Sequence, residues 1–164
     1  MKVTIINTGG TFNKRYNPLN GELEVPSDSI ALDKIIASCH NVEFEIKNIV
    51  SKDSLDITDD DRNLITEYVE NSENENIIII HGTDTIHLTS AFLRKKISNK
   101  KIIFTGAMIP MSIDTIEATM NFSQALGFLS SDAKNGVYLA MHGVVVDSLK
   151  LIKDRTKGKF LLKE

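Results

Sequence analysis

The chain has 164 residues, with 19 basic and 22 acidic side chains, a formal net charge of −3 and 41% hydrophobic residues. That size fits one domain with a sizeable core, and the charge gives no global electrostatic case for nucleic acid. The single cysteine, Cys39, excludes an intrachain disulfide and a cysteine-rich metal site, and no apolar run reaches membrane-spanning length. The chain passes directly into a strand-like segment with no signal-peptide pattern, so the expected location is cytoplasmic.

Lys2–Asn7 reads as a first strand, ending in Thr8-Gly9-Gly10-Thr11. The dinucleotide fingerprint needs a third glycine, which is absent here. Residues 13–27 are irregular, carry Pro, Asn and Gly, and read as a long loop or lid. Residues 28–38 have apolar positions at helical spacing, and 42–50 alternate like a strand. Thr58 with Asp61 three residues later forms a capping pattern that opens a helix with an acidic first turn. Asp59–Asp61 are therefore read as a helix N-terminus rather than a metal site.

Ile77–His81 is a continuous β-branched run, the pattern of a strand buried on both faces. A helix over 86–97, a strand over Lys101–Thr105, a helix over Asp114–Ser130 and a strand over Val137–Met141 follow, with Gly143–Val146 a candidate further strand. The last fifteen residues are locally basic (Lys150, Lys153, Arg155, Lys157, Lys159, Lys163) and read first as a solvated tail. Strands alternating with helices predict an α/β protein: a mostly parallel sheet with helices on both faces.

Ligands of an open parallel sheet bind beyond the carboxyl ends of its strands. Here those ends carry Thr8-Gly9-Gly10-Thr11, "SKDSLDIT", His81-Gly82-Thr83-Asp84-Thr85, Thr105-Gly106-Ala107-Met108 and "HGVVVDSLKLIKD". Such loops make a polar pocket. A threonine hydroxyl becomes a nucleophile when a desolvated lysine held by an aspartate draws off its proton. Asp84 suits two tasks, holding a lysine or gripping a substrate ammonium. Backbone N–H groups beside Gly10 and Thr11 are candidate oxyanion donors. Each fragment also has a plain structural role: Thr83 and Asp84 as a helix cap, and His81, His87 and His142 as structural or exposed histidines without metal-ligand spacing.

Together, "NTGGTF" after the first strand and "HGTDT" about seventy residues on resemble the bacterial-type L-asparaginase family. "SKDSLDIT", "TGAMIP" and "VVVDSLKLIKD" extend the resemblance over nearly the whole chain. It implies a three-layer α/β/α sandwich of Rossmann-like or flavodoxin-like type. It also implies hydrolysis of L-asparagine to aspartate and ammonia through a threonine acyl-enzyme, with no metal or organic cofactor. The catalytic positions it implies are Thr11 as nucleophile, Thr83, Asp84, Lys153 and the lid tyrosine Tyr16. The substrate-binding positions are Gly10, Ser54, Leu55, Thr83, Asp84 and Ala107.

Leu55 stands where many members have Gln or Ser, and Ile109 replaces the arginine of the family's GAM-R-P. Ordinary members are roughly twice this length and carry a smaller C-terminal domain. Residues 1–164 are accordingly expected to be a single domain of the N-terminal catalytic type. A small amino-acid substrate and homo-oligomerisation, as a dimer or dimer of dimers, are the implied partners. The alternatives are an asparagine- or aspartate-binding regulatory module and a subunit of a larger amide-handling assembly.

Overall fold

The structure is a computed structural model and describes residues 1–163. In chain order the elements are β1 (Lys2–Gly9), β2 (Arg15–Asn17), β3 (Glu22–Glu24), α1 (Ile30–Ile36), β4 (Glu43–Lys52), α2 (Asp59–Asn71), β5 (Asn76–Ile80), α3 (Ile86–Arg94), β6 (Lys101–Thr105), α4 (Thr115–Leu129), β7 (Gly136–Met141), β8 (Val144–Asp147), β9 (Leu151–Asp154) and β10 (Lys159–Leu162). A six-stranded sheet runs β4-β1-β5-β6-β7-β8. Its pairings are parallel except for β7 with β8, which are antiparallel. The expected α/β/α arrangement is present.

The alternation of side chains along the central strands builds two cores. On β1, Val3 and Ile5 join Leu32, Ile35, Phe122 and Leu129 under α1 and α4. Ile6, Ile77, Ile79, Ile102 and Phe104 face Ile65, Val69, Ile86 and Leu93 of α2 and α3. The β5 run Ile77–Ile80 is fully buried, as a strand covered by helices on both faces must be.

The strand order places a switch point between β1 and β5. The chain leaves β1 toward α1 on one face and leaves β5 toward α3 on the other. The two connections diverge, and doubly wound sheets place their ligand crevice outside the carboxyl ends of the strands at such a point. Both threonine-glycine segments lie there.

Two stretches depart from expectation. Residues 13–27 contain the β2–β3 hairpin, with Tyr16 opposite Leu23. Its strands have three residues each, too short to show a period, and Asn20-Gly21 at the turn is the readable hairpin signal. The basic C-terminal segment is the β9–β10 hairpin rather than a solvated tail, with Lys153 opposite Phe160. Asp154 folds its turn by accepting hydrogen bonds from Thr156 N and Lys157 N. Lysine-rich composition concealed the pairing.

Thr58 and Asp61 form the expected reciprocal capping box on α2, and Asp61 also accepts Lys52 Nζ at 2.7 Å. Thr58→Ala removes one half of the box, with an expected cost of about 1 kcal/mol and a Tm lowered by about 2–4 °C in a thermal melt.

Candidate active site

The crevice is closed at its base by backbone. Gly9 and Gly10 adopt φ of 94° and 71°, a region that favours glycine. A Cβ built on Gly10 falls on the backbone of Gly82, and one on Gly82 lies 2.6 Å from Ser54 Cβ. The loops after β1, β4 and β5 therefore touch main chain to main chain. The residues that follow each contact, Thr11 and Thr83, emerge from adjacent loops. On its Cβ side, Gly10 is closed off by a neighbouring loop.

Polar bonds lock this junction. Thr8 Oγ1 donates to Ile80 O at 2.8 Å, so the first hydroxyl of the threonine-glycine segment ties β1 to β5. Gly10 N donates to Lys52 O at 2.9 Å, which occupies one of the two amides considered as oxyanion donors. Asn13 Nδ2 donates to Asn7 Oδ1 at 2.7 Å and to Gly9 O at 2.9 Å, and Asn7 Nδ2 to Asn48 Oδ1 at 2.8 Å. Sequence reading did not single out these asparagines. Two of them flanking the glycine pair was the available signal, since asparagine commonly bonds local backbone.

Thr11 lies in a single 3₁₀ turn, Thr11–Asn13, and is half-buried. Among the described residues its hydroxyl has no hydrogen-bond partner. Thr83 is buried, and its Oγ1 accepts Lys153 Nζ at 2.8 Å. The same ammonium donates to Asp84 Oδ1 at 2.9 Å. β9 thus brings Lys153 to residues 70 and 69 positions earlier, and both partners of the ion pair are largely shielded from water. Arg155 Nε stands 3.5 Å from the same oxygen, an exposed second cation that the sequence reading counted only among the basic residues of the C-terminal segment. Asp84 Oδ2 is left without a partner among the described residues. Lys150, the neighbouring lysine, is exposed in the turn just before β9.

Ser54 is buried in a 3₁₀ turn at the end of β4, and its carbonyl accepts Thr85 Oγ1 at 2.6 Å. Asp53 begins the turn by accepting Leu55 N at 3.2 Å and pairs with Lys14 Nζ at 2.7 Å. Lys14 and this turn together hold the carboxylate of Asp53 below its ordinary range, although partial burial opposes them. Leu55 points outward and is 57% exposed. Tyr16 is 63% exposed on the hairpin, and its hydroxyl lies beside Gly21, so it stands apart from the Thr83–Lys153 group. Ala107 is fully buried among core residues that include Phe12 and Met111, which leaves its side chain no surface for a ligand.

The loop containing Ala107 is pinned from α4. Glu117 accepts Met108 N and Ile109 N, each at 2.9 Å, and lies 2.8 Å from His142 Nε2. Asn121 donates to Gly106 O and accepts His142 N, both at 2.9 Å. Gly106 in turn packs on His81 O, with Thr83 Cγ2 3.6 Å from where its Cβ would stand. Behind the site, His81 is completely buried, and its Nδ1 donates to Gly82 O at 2.8 Å. Burial pushes its pKa down to about 4, and the positive charges of Arg62 and His87 add to the effect. His81 is a neutral structural histidine.

A doubly wound sheet with a shielded Thr–Lys–Asp group at its switch point defines the class, an α/β protein with polar loops gathered beyond the carboxyl ends of its strands. Comparison with known proteins agrees in class. Residues 2–159 match the family model for the asparaginase N-terminal domain, and the chain belongs to that family. L-asparaginase of Thermococcus kodakarensis is 28% identical over 96% of this chain and 49% of its own length. A glutamyl-tRNA(Gln) amidotransferase subunit of Pyrococcus furiosus is 32% identical over 94% of this chain and 36% of its own. The structure of the thermostable L-asparaginase from T. kodakarensis superposes with a TM-score of 0.86 at 26% identity, over 99% of this chain and 51% of that one. The chain thus spans about half or less of the length of these relatives.

Two outcomes are expected. Gly10→Ala forces a side chain into the Gly82 backbone at positive φ, and should destabilise the fold by at least about 2 kcal/mol in urea titration. For His81 the folded pKa lies below the ordinary 6.5, so the unfolded chain binds the proton first. Its stabilisation is whole above pH 6.5 and is lost as pH falls toward 4. Stability measured across that window should drop by about 3 kcal/mol, and His81→Asn should flatten the slope.

Proposed function

We propose that this protein is an amidohydrolase that cleaves L-asparagine to L-aspartate and ammonia through a threonyl ester on Thr11. The observation that carries the reading is the shared ammonium of Lys153, bonded to both Thr83 Oγ1 and Asp84 Oδ1. The L-asparaginase relative over nearly the whole chain supports the choice of substrate.

In this reading the open oxygen of Asp84 receives the substrate's α-ammonium, and Ser54 receives its α-carboxylate. Thr11 Oγ attacks the side-chain amide carbon. In the reacting form Lys153 is the amine, one ammonium proton having passed to solvent, and the Thr11 proton moves through the Thr83 hydroxyl to Lys153 Nζ and then to the departing nitrogen. The C–N bond breaks, ammonia leaves, and the acyl group stays on Thr11 as an ester. Water attacks that ester with the same pair taking its proton, which releases aspartate and restores the Thr11 hydroxyl. The Thr11 N–H is the remaining main-chain donor for the oxyanion, since the Gly10 amide is committed to Lys52. Tyr16 reaches the substrate only if the β2–β3 hairpin folds over the crevice.

A second reading has a specific support. Several relatives are subunits of glutamyl-tRNA(Gln) amidotransferases, one of them at 32% identity. The same chemistry would then serve a larger assembly and release ammonia only beside a partner protein. A third, amino-acid binding without turnover, follows from the exposed Leu55.

Purified protein incubated with millimolar L-asparagine should release ammonia, and Thr11→Ala should lower the rate by at least about 10³-fold while its circular dichroism stays unchanged. Lys153→Ala should reduce kcat far more than it raises KM, because it removes a proton carrier rather than a binding group. Full activity in Thr11→Ala would displace the nucleophile. Tight calorimetric binding without ammonia release by the wild type would favour the binding module.

A further inference from the structure

The hydrogen-bond ladder between β1 and β4 ends at the bond from Gly10 N to Lys52 O. Beyond it the two chains part into separate 3₁₀ turns, Thr11–Asn13 and Ser54–Asp56. Among the described residues one hydrogen bond joins these turns across their open side, from Lys14 Nζ to Asp53 Oδ2 at 2.7 Å.

Each partner is fixed to its own turn. Lys14 N donates to Thr11 O at 3.1 Å, and Lys14 O accepts Ser112 Oγ at 2.7 Å. Asp53 uses its other oxygen, Oδ1, to accept Leu55 N at 3.2 Å, which caps the turn that carries Ser54. A shift of the pair is therefore passed to Thr11 on one side and to Ser54 on the other. Ser54 is closed in from behind, with its Oγ 2.8 Å from where a Cβ on Gly82 would stand and its carbonyl held by Thr85.

Water screens this pair less than most. Its side chains are 24% and 32% exposed. Besides Lys153–Asp84, no other pair of a lysine or arginine with a carboxylate among the described residues keeps both partners below one-third exposure. A short, charge-assisted and partly shielded bond holds its geometry better than an exposed surface pair.

The reaction proposed above puts the acyl acceptor on Thr11 and the substrate's α-carboxylate at Ser54. The span between them measures the length of the substrate. L-Glutamine is longer than L-asparagine by one methylene, a difference that a fixed pocket turns into about 10–200-fold discrimination. A misplacement of about 1 Å at the reacting centre costs on the order of 10²-fold in rate. We infer that Lys14 and Asp53 form the strut that sets this span, and are the positioning residues that select a β-carboxamide substrate over a γ-carboxamide one. The inference rests on the roles proposed for Thr11 and Ser54.

The test compares kcat/KM for L-asparagine and L-glutamine, beside calorimetric binding of L-aspartate and L-glutamate, which needs no turnover. The wild type should prefer the shorter member of each pair by at least about tenfold. Lys14→Met keeps the length of the side chain without its charge and should cut that preference at least about fivefold. Asp53→Asn should do the same, and the double variant should do no more than either single one, since all three remove one bond. Lys14→Arg keeps the charge and should keep the preference. Thermal melts of these variants should lie within about 2–4 °C of the wild type, so folding does not account for the change.

An unchanged preference in Lys14→Met and Asp53→Asn, or an equal loss on both substrates, would overturn the strut and leave the proposed reaction in place. A calorimetric preference narrowed by Lys14→Met in a protein that releases no ammonia would uphold the strut and overturn the reaction. A wild type with no preference in either assay, or one that neither binds nor cleaves any of the four amino acids, would overturn the strut.

Discussion

The contact between the Gly10 and Gly82 backbones is the constraint on which the site is built. Parallel strands lie about 4.8 Å apart, yet their loops usually diverge at a switch point because the connections leave on opposite faces. Here the loops after β1 and β5 are drawn back together before they part. Only main chain without side chains can close to that distance, and Gly10 needs a positive φ to do so. The hydrogen bonds from Thr8 to Ile80 and from Gly10 to Lys52 then fix the approach from either side. The relative placement of the two threonines follows from this junction rather than from their own side-chain contacts.

The second determinant is the cost of shielding charge. An ammonium shielded from water is costly unless its protons find partners. Lys153 is held by one carboxylate and one hydroxyl, and Arg155 adds an exposed cation to the same carboxylate oxygen. The β9–β10 hairpin delivers both cations, with Leu151 buried as the anchor at its base. A lysine placed by a strand end has less freedom than one on a loop, so its distance to the Thr83 hydroxyl is kept.

Much of this was legible in the residues, for physical reasons. Strands buried on both faces need continuous β-branched runs, and Ile77–Ile80 has one. The capping pair on α2 is a local interaction, so spacing alone exposes it. The threonine-glycine segments are visible because few residues satisfy their geometry. The two hairpins were hidden, because three- and four-residue strands carry no readable period and their charged side chains mimic solvated loop. The resemblance brought Lys153 to notice, and only the pairing of β9 with β10 shows why it and not Lys150 reaches Thr83. Glu117 and Asn121 were out of reach, since each acts on backbone from loops that the sequence does not show to be adjacent.

Those two residues show what the inner face of α4 holds together. On its inner face Glu117 and Asn121 gather three backbone amides, the Gly106 carbonyl and the ring of His142, a residue that sits at a φ of 51° in the tight β7–β8 turn. A non-glycine residue at positive φ persists only where its surroundings over-determine it. The carboxamide bond to the His142 amide and the carboxylate beside its ring, with Phe160 edge-on to that ring, supply the determination. These bonds spend the polar groups of Glu117 and Asn121 that the first two turns of the helix direct inward. The outer line from Ile113 to Ser130 is free of charge, and at its end Ser130 Oγ donates to Met1 Sδ at 3.8 Å. Substitution there changes what the helix presents to solvent and leaves the loop of Gly106 to Ile109 held as before.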